Sequence, residues 1–398
     1  MKDKLISRDF CLIIGASFLL TFSFWLLMPV LPFYLMDEFG SSKTTVGIVL
    51  SCYTIAALCM RPIAGYILDT FSRKPFYLLT YFIFAIIFAG YTIAGTLLIF
   101  VILRIVHGMS FGSVTVGNNT LIIDVMPFSR RGEGLGYFGL SKNVAMSIGP
   151  MTGLFIYNSG LPYFYIFLVA FVSCSLGFIC AWLIHTPYVA PKERPRLVFN
   201  RFILIKGIPA SISLMLLSIP YGMITNYLAM YCKQIGLNTS PGLFFSFMAV
   251  GMAISRIFSG KIVDKGKVTQ VISFSFYLIV CCFFLFTSTP YFVKMHLNMA
   301  IIVFYLVSCL MGVGFGILFP AYNTLFINLA PDDQRGAANS TYLTSWDIGL
   351  GMGMIGGGYI ADISNFNYAY IWGACMTVVS MIYFNLRVAP HFNRNKFR

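Results

Sequence analysis

The architecture follows from one stretch, Arg61-Pro-Ile-Ala-Gly65-Tyr-Ile-Leu-Asp69-Thr-Phe-Ser-Arg73-Lys74, whose skeleton occurs twice in the chain. The second copy is Arg256-Ile-Phe-Ser-Gly260-Lys-Ile-Val-Asp264, where arginine, glycine and aspartate recur 195 positions later. In both copies an apolar helix runs into a short, charged turn. A glycine there is expected to let two helices approach closely, since it has no side chain. The aspartate and its basic neighbours can form ion pairs in one arrangement of the helices and lose them in another.

The composition places the chain in a membrane. Charged residues make up only 10% of 398 and apolar residues 58%, with a mean hydropathy of +0.82. A soluble domain of this size could not bury so much apolar surface. Long apolar stretches recur along the chain, which indicates an all-α multi-pass membrane protein rather than a barrel. We predict twelve transmembrane helices, at about 10–35, 44–68, 75–94, 97–126, 133–157, 162–185, 204–231, 240–260, 268–287, 298–329, 338–362 and 366–387.

The net charge of +14 could suggest a nucleic-acid partner, but its distribution indicates a membrane topology instead. Of the 27 lysines and arginines, 20 fall in predicted cytoplasmic segments. The others lie outside (Lys43, Lys233 and Lys294) or within and at the ends of spans (Arg61, Arg104, Lys142 and Arg256). This asymmetry predicts cytoplasmic N- and C-termini in the cytoplasmic (inner) membrane. The basic surface then faces anionic membrane lipid, and no nucleic acid is expected as a partner.

The repeat extends through most of the chain, with a numbering difference that grows to 204. Its later pairs are Gly108 with Gly312, Gly112 with Gly316, Asn119 with Asn323, Arg131 with Arg335, and Asn143 with Asp347. We therefore predict two six-helix halves, residues 1–187 and 204–398, joined by a basic cytoplasmic linker at 188–203. Parallel repeats of this kind are typical of transporters, in which rocking of the halves alternates access to a site near the midplane.

Two further patterns concern the cavity and the chemistry. Trp25, Pro29 and Pro32 share one helical face, where the prolines break the backbone ladder and the face could line a cavity.

The ten cysteines have no metal-ligand spacing and are interpreted as apolar packing residues. No catalytic, metal or phosphate-loop constellation is found, so we predict no enzyme and no cofactor. Energy must come from an ion or substrate gradient, the proton gradient being the favoured source.

Ionisable side chains inside the spans are the candidate coupling residues. Arg104 and His107 share a face of helix 4, while Lys142 and Asp347 lie deep in helices 5 and 11. Each is costly to bury unpaired, so partners or water are expected. Asp347 and His107 can each take up a proton, and we predict that Asp347 carries the coupling. The alternatives are a static hydrogen-bonded role for Asp347, and a salt bridge or snorkelling contact for Lys142.

At these residues the chain resembles the major facilitator superfamily, and within it the twelve-helix drug:proton antiporters. The family's loop motif G-x-L-x-D-R-x-G-R-R/K is similar to Gly65–Lys74, with Thr70 and Ser72 departing from it. Its helix-4 motif R-x-x-Q-G-x-G resembles Arg104–Gly108, with His107 in place of glutamine. The helix-5 exporter motif, ending G-P-x-x-G-G, resembles Gly149-Pro150-Met-Thr-Gly153, with Leu154 in place of the last glycine. The resemblance implies alternating access, and Gly149 and Pro150 predict a bend in that helix.

Three functions remain open on the sequence. The first is a monomeric, proton-coupled exporter of a small-molecule substrate, either a drug or a metabolite, with a cavity lined by helices 1, 4, 7 and 10. Its candidate contacts include Tyr221, Asn226 and Tyr227 on helix 7, and Phe319, Tyr322 and Asn323 on helix 10. The second is an uptake symporter for a peptide, sugar or chelator. The third is a lipid flippase or a membrane enzyme, and an enzyme would need a polar catalytic cluster that the sequence does not provide.

Overall fold

The structure is a computed structural model that describes residues 5–127, 130–185, 203–264, 266–331 and 334–396. The side chains of residues 69, 131–132, 256–264 and 335–336 lie outside this description. The described residues are almost entirely helical. The α-helices are α1 Arg8–Leu27, α2 Leu31–Phe39, α3 Lys43–Thr70, α4 Arg73–Thr92, α5 Leu97–Val125, α6 Arg131–Asn158, α7 Tyr163–Leu183, α8 Ile208–Ile235, α9 Pro241–Asp264, α10 Val268–Thr287, α11 Thr289–Met295, α12 Leu297–Asn328, α13 Arg335–Ile363, α14 Phe366–Tyr383 and α15 Ala389–Asn395. A 3₁₀ turn, Ile205–Gly207, precedes α8, and a π-helix, Phe384–Val388, joins α14 to α15.

The surface of these helices is that of a membrane protein. Within the described residues, 9 helical segments are long and apolar enough to cross a bilayer. Large apolar side chains such as Ile93, Leu98 and Phe155 are more than two-thirds exposed, which suits lipid rather than water. Three predicted spans, at 133–157, 240–260 and 338–362, are helical as parts of α6, α9 and α13 but are not among those segments. Twelve crossings therefore stay a prediction for these three helices.

The first predicted span is divided by its prolines. The chain makes a turn at residues 28–30 between α1 and α2, and α2 has a proline in its first turn. Pro29 and Pro32 lack the N–H groups that a continuous helix would need. The predicted break in the backbone ladder is confirmed.

The chain divides into two compact units, 1–40 with 52–196 and 41–51 with 197–398. In the first unit α1 packs on α6 and α7, and α4 packs on α5 and α7. In the second, α8 packs on α13 and α14, while α12 packs on α9 and α10. This division differs from the predicted halves at residues 41–51, the outer end of α3, which belong with the second unit. Most of the predicted linker 188–203 lies outside the described residues.

The outer end of α3 joins the second unit through specific contacts. The carboxylate of Asp362 accepts hydrogen bonds from the backbone N–H groups of Lys43 and Thr44, at 2.9 and 2.7 Å. The Nζ of Lys43 donates to the carbonyl of Ala361 at 2.8 Å. Ser51 donates to the carbonyl of Gly351 at 3.0 Å. The first helical N–H groups of α3 are thus satisfied by an acidic side chain from α13, which also suits the helix dipole.

The sequence repeat has a counterpart in packing. In the first unit a side chain at Gly108 would collide with the carbonyl of Tyr53, and in the second a side chain at Gly312 would collide with that of Met248. Gly312 follows Gly108 by 204 positions and Met248 follows Tyr53 by 195. These are the two numbering differences of the repeat. Both units therefore bring the corresponding helices, α3 with α5 and α9 with α12, into contact at glycine.

Candidate functional site

Arg104 lies in the interior of the first unit, where α5 places it against the rings of neighbouring helices. Its side chain is only 1% exposed. The guanidinium carbon lies 4.3 Å from the centroid of the Tyr53 ring, a cation–π geometry. Its Nε and Nη2 atoms make no hydrogen bond with the residues that the structure describes. Arg104 is therefore a buried cation with donor capacity left over.

His107 lies one turn further along α5, and its ring is held in place by aromatic side chains. Its Nδ1 is 2.8 Å from the hydroxyl of Tyr91 on α4. The ring centroids of Phe84 and Phe88 lie 4.3 and 4.7 Å from that of the imidazole. The Nε2 atom has no hydrogen-bond partner in the described part of the chain. Which nitrogen donates depends on the tautomer, so the imidazole can offer either a donor or an acceptor at Nε2.

We call Tyr53, Tyr91, Arg104 and His107 the Arg104 cluster. It combines a permanent cation, a titratable imidazole and two phenol rings. It can donate hydrogen bonds to a carboxylate or to water, and it can store a proton at His107. The sequence predicted Arg104 and His107 on one face but missed Tyr91, because nothing distinguishes it among 23 tyrosines.

Lys142 and Asn119 are brought together in the same unit. The Nζ of Lys142 on α6 donates to Oδ1 of Asn119 on α5 at 3.1 Å. The same ammonium lies 4.0 Å from the centroid of the Phe138 ring. The partners that the structure shows for this charge are thus an amide oxygen and an aromatic face. Beside Asn119, Asn118 accepts a hydrogen bond from Tyr77 at 2.5 Å, a pair that the sequence did not indicate.

Asp347 is buried on α13 in the second unit, and Trp346 precedes it in the chain. Its neighbour Trp346 packs against Tyr221 and Phe319, with ring centroids 4.9 and 4.5 Å apart. Tyr221 in turn packs on Phe315 at 5.0 Å. We call Tyr221, Phe315, Phe319 and Trp346 the Trp346 cluster. It forms an aromatic surface around Trp346, the residue that precedes Asp347 on α13.

Two other predicted contacts of the second unit, Tyr227 and Asn226, have hydrogen-bond partners in the bundle. The hydroxyl of Tyr227 donates to the carbonyl of Met354 at 2.8 Å and so joins α8 to α13. Asn226 donates to the carbonyl of Gly222 on its own helix at 2.8 Å. The side-chain oxygens of Asn226 and Asn323 accept no hydrogen bond from the described residues. Those two amide oxygens retain acceptor capacity, whereas Tyr227 holds helices together.

The repeated charged turn, which we predict to make ion pairs in one arrangement of the helices, is partly described. Arg73 pairs with Asp124, its Nη1 lying 2.6 Å from both carboxylate oxygens, and Lys74 donates to the carbonyl of Ile184 at 2.6 Å. These contacts join the start of α4 to the ends of α5 and α7. A side chain at Gly65 would meet no described atom within 4 Å, so the close approach predicted there is not found. The side chains of Asp69, Arg131, Asp264 and Arg335, and the surroundings of Gly260, lie outside the described residues.

The predicted bend residues lie where α6 packs on α1. A Cβ at Gly149 would stand 3.0 Å from backbone atoms of Phe22 and Leu26 and from the Cβ of Trp25. One at Gly153 would collide with the carbonyl of Leu26. Pro150 lies inside an uninterrupted α6. Both glycines therefore lie in close contact with α1, while the bend predicted at Gly149 and Pro150 stays a prediction. Trp25 itself is half-buried, packs on Phe24 and lies next to this contact between α1 and α6.

Comparison with known proteins agrees with this architecture. The Major Facilitator Superfamily profile matches residues 13–349 and 292–397, and the chain belongs to that family. Its members are transporters rather than enzymes. The chain is similar to multidrug resistance protein 1 of Bacillus subtilis, with 27% identity over 376 residues, 89% of this chain and 90% of that protein. It is also similar to the staphylopine export protein of Staphylococcus aureus, with 22% identity over 360 residues and 87% of each chain.

The fold is shared with solved transporters. The crystal structure of a D-xylose–proton symporter matches with a TM-score of 0.74 and 16% identity, over 96% of this chain and 97% of the other. At that identity the likeness concerns the fold alone. The chain is therefore a multi-pass membrane transporter of the Major Facilitator Superfamily.

Proposed function

We propose that this transporter exports small amphipathic molecules from the cytoplasm in exchange for protons. It would act as a monomer in the cytoplasmic (inner) membrane, with both termini in the cytoplasm. The observation that carries the proposal is the burial of a carboxylate, Asp347, on α13, where the preceding residue Trp346 packs in an aromatic cluster. The relatives named for multidrug resistance and for staphylopine export support the outward direction.

The chemistry of Asp347 supplies a coupling mechanism. A carboxylate inside an apolar bundle is costly when charged, and the cost falls when it binds a proton or a cationic group. Proton and cationic substrate then compete for one carboxylate, so the binding of one favours release of the other. The rings of Tyr221, Phe319 and Trp346 would hold the aromatic part of such a substrate by stacking and its cationic group by cation–π contacts.

The Arg104 cluster is the alternative place for the proton. The imidazole of His107 can bind a proton, and Arg104 lies about one turn before it on α5. A glutamine at position 107 cannot carry the proton but keeps hydrogen-bonding capacity next to Tyr91. Substitution of His107 by glutamine therefore separates the two locations.

The test uses purified protein in liposomes, with ethidium as the fluorescent cationic probe and pyranine as the internal pH indicator. An acidic lumen should drive ethidium accumulation, and ethidium addition should release protons. Asp347→Asn should still bind ethidium but lose gradient-driven accumulation and the pH dependence of binding. His107→Gln and a control at an exposed carboxylate, Glu38→Gln, should retain both.

Several outcomes would contradict the proposal. Accumulation in an alkaline rather than an acidic lumen would identify a symporter. Normal pumping by Asp347→Asn together with failure of His107→Gln would move the proton site to α5. An unchanged pH dependence in both variants would exclude proton coupling at either residue.

A further inference from the structure

A basic groove lies at the end of α14, away from the candidate transport residues. The π-helix and α15 continue α14, and Phe384, Val388 and Phe392 are buried along one side of this tail. The side chain of Ser273 on α10 donates to Asn385 at 2.6 Å, and a ring nitrogen of His391 lies 2.9 Å from the carbonyl of Lys206. The tail is therefore anchored to the second unit, and its position is defined.

The opposite side of the tail borders a cavity of about 690 Å³. Its polar lining includes Arg387, His391, Arg394 and Asn395, and its apolar lining includes Pro209 and Leu386. We call this cavity the tail groove. Both arginines are exposed, and neither forms an ion pair or a hydrogen bond with the residues that the structure describes. Two guanidinium groups thus face one cavity with their donor capacity unused.

The depth of the tail groove matches the edge of the bilayer. Phe366 to Asn395 forms one apolar segment long enough to cross a membrane. From Phe366 to Arg387 the helix rises about 32 Å at 1.5 Å per residue, close to the thickness of a hydrocarbon core. Counted from Phe366, Arg387 is therefore expected at headgroup level, on the side where the positive-inside rule places the C-terminus. Arg394 lies seven residues further on, up to about 10 Å beyond it.

The apolar border of the groove suits acyl chains. Leu386 lines the groove and is 69% exposed. Ile208, which precedes the groove residue Pro209 in the chain, is 44% exposed, and Ile205 is 65% exposed. Water would make such exposure costly, whereas lipid tails would not. The groove thus combines two unpaired arginines with an adjoining apolar surface.

We propose that the tail groove binds an anionic phospholipid of the cytoplasmic leaflet. Arg387 and Arg394 donate charge-assisted hydrogen bonds to its phosphate oxygens. Asn395 and His391 hold each other and the Lys206 carbonyl at the edge of the groove. The acyl chains lie along Leu386 and the neighbouring isoleucines. This site is distinct from the coupling residues and does not depend on the direction or substrate of transport.

The test measures the unfolding midpoint of the full-length, detergent-purified protein with added phosphatidylglycerol or phosphatidylcholine. Phosphatidylglycerol should raise the midpoint and phosphatidylcholine should not. The double variant Arg387→Gln, Arg394→Gln should lose most of that shift. The charge-matched control Lys267→Gln, Lys294→Gln, which alters exposed lysines elsewhere in the same unit, should keep it. Native mass spectrometry should show retained phosphatidylglycerol on the wild type and the control, and less on the double variant.

Three results would overturn the proposal. One is a full phosphatidylglycerol shift in the double variant, and the second is an equal shift with phosphatidylcholine. The third is an equal shift with glycerol phosphate alone, which would make the ligand a soluble phosphate instead of a lipid. If the double variant does not fold, the single variants Arg387→Gln and Arg394→Gln are compared, and a full shift in both contradicts the site.

Discussion

Gly312 lies so close to the carbonyl of Met248 that no side chain can stand at position 312 without movement of α9 or α12. The first unit has the same relationship between Gly108 and Tyr53. A contact that recurs at both copies of a repeat belongs to the shared architecture of the halves. We therefore expect Gly108 and Gly312 to affect the stability of the folded protein rather than substrate binding.

The first prediction follows from the glycine contacts at Gly108 and Gly312. Gly108→Ala and Gly312→Ala should each lower the free energy of unfolding by about 1–3 kcal/mol, because the new methyl group overpacks a helix contact. Gly139→Ala on α6 is the control, since a Cβ there meets no described atom within 4 Å. Thermal unfolding of the purified variants measures both effects. Equal unfolding midpoints for all three variants would show that the helices move apart enough to accommodate the new methyl group.

The second prediction concerns the partner of His107. Tyr91→Phe removes the hydroxyl 2.8 Å from Nδ1 and leaves a buried ring nitrogen without it. The loss of stability should be about 1–3 kcal/mol, the range for an unsatisfied buried polar group. Tyr137→Phe, at an exposed tyrosine, should change nothing measurable. The measurement is the unfolding midpoint of each variant. An unchanged midpoint for Tyr91→Phe would mean that another group replaces the hydroxyl as the partner of Nδ1.

The third prediction concerns the cap on α3. Asp362 accepts hydrogen bonds from Lys43 N–H, Thr44 N–H and the Thr44 hydroxyl. Asp362→Ala should cost about 0.5–2 kcal/mol, the usual value of a helix N-cap. The amides of residues 43–51 should exchange hydrogen faster, while those at the start of α5 should not. Unchanged exchange at residues 43–51 would show that the cap contributes nothing.

The fourth prediction tests the topology. In a background without the ten native cysteines, Lys233→Cys should react with an impermeant maleimide added to intact cells. Lys267→Cys, also exposed, should react only after permeabilisation. Labelling of position 233 from the cytoplasm alone would invert the predicted orientation.

Part of the candidate site could be predicted from the sequence, because ionisable residues stand out against apolar spans. Arg104, His107, Lys142 and Asp347 were identified in this way. Their neighbours could not be identified so easily. Tyr53, Tyr91 and Phe84 belong to residue types that occur throughout the chain, and only packing selects these three.

Other differences have the same cause. The charged turn at Gly65 suggested a close helix approach. A Cβ at Gly65 would meet no atom of the described residues within 4 Å, whereas the space beside Gly108 and Gly312 is filled. Spacing in a sequence tells which glycines share a face but not how far away the next helix lies. The outer end of α3 was assigned to the first half by chain order, whereas its contacts with Asp362 and Ala361 place it with the second unit.

The sequence by itself determined the membrane class, most helix positions, the break at Pro29 and the repeat of the glycine seams. These properties depend on local composition and on periodicity along one helix, which can be read without a partner. Only the tertiary structure decided that Asp362 caps α3, that Tyr91 meets His107, that Asn119 accepts from Lys142 and that Arg387 and Arg394 share a groove. Such pairs depend on the rotation and depth of separate helices, and helices of similar hydropathy can pack with many rotations.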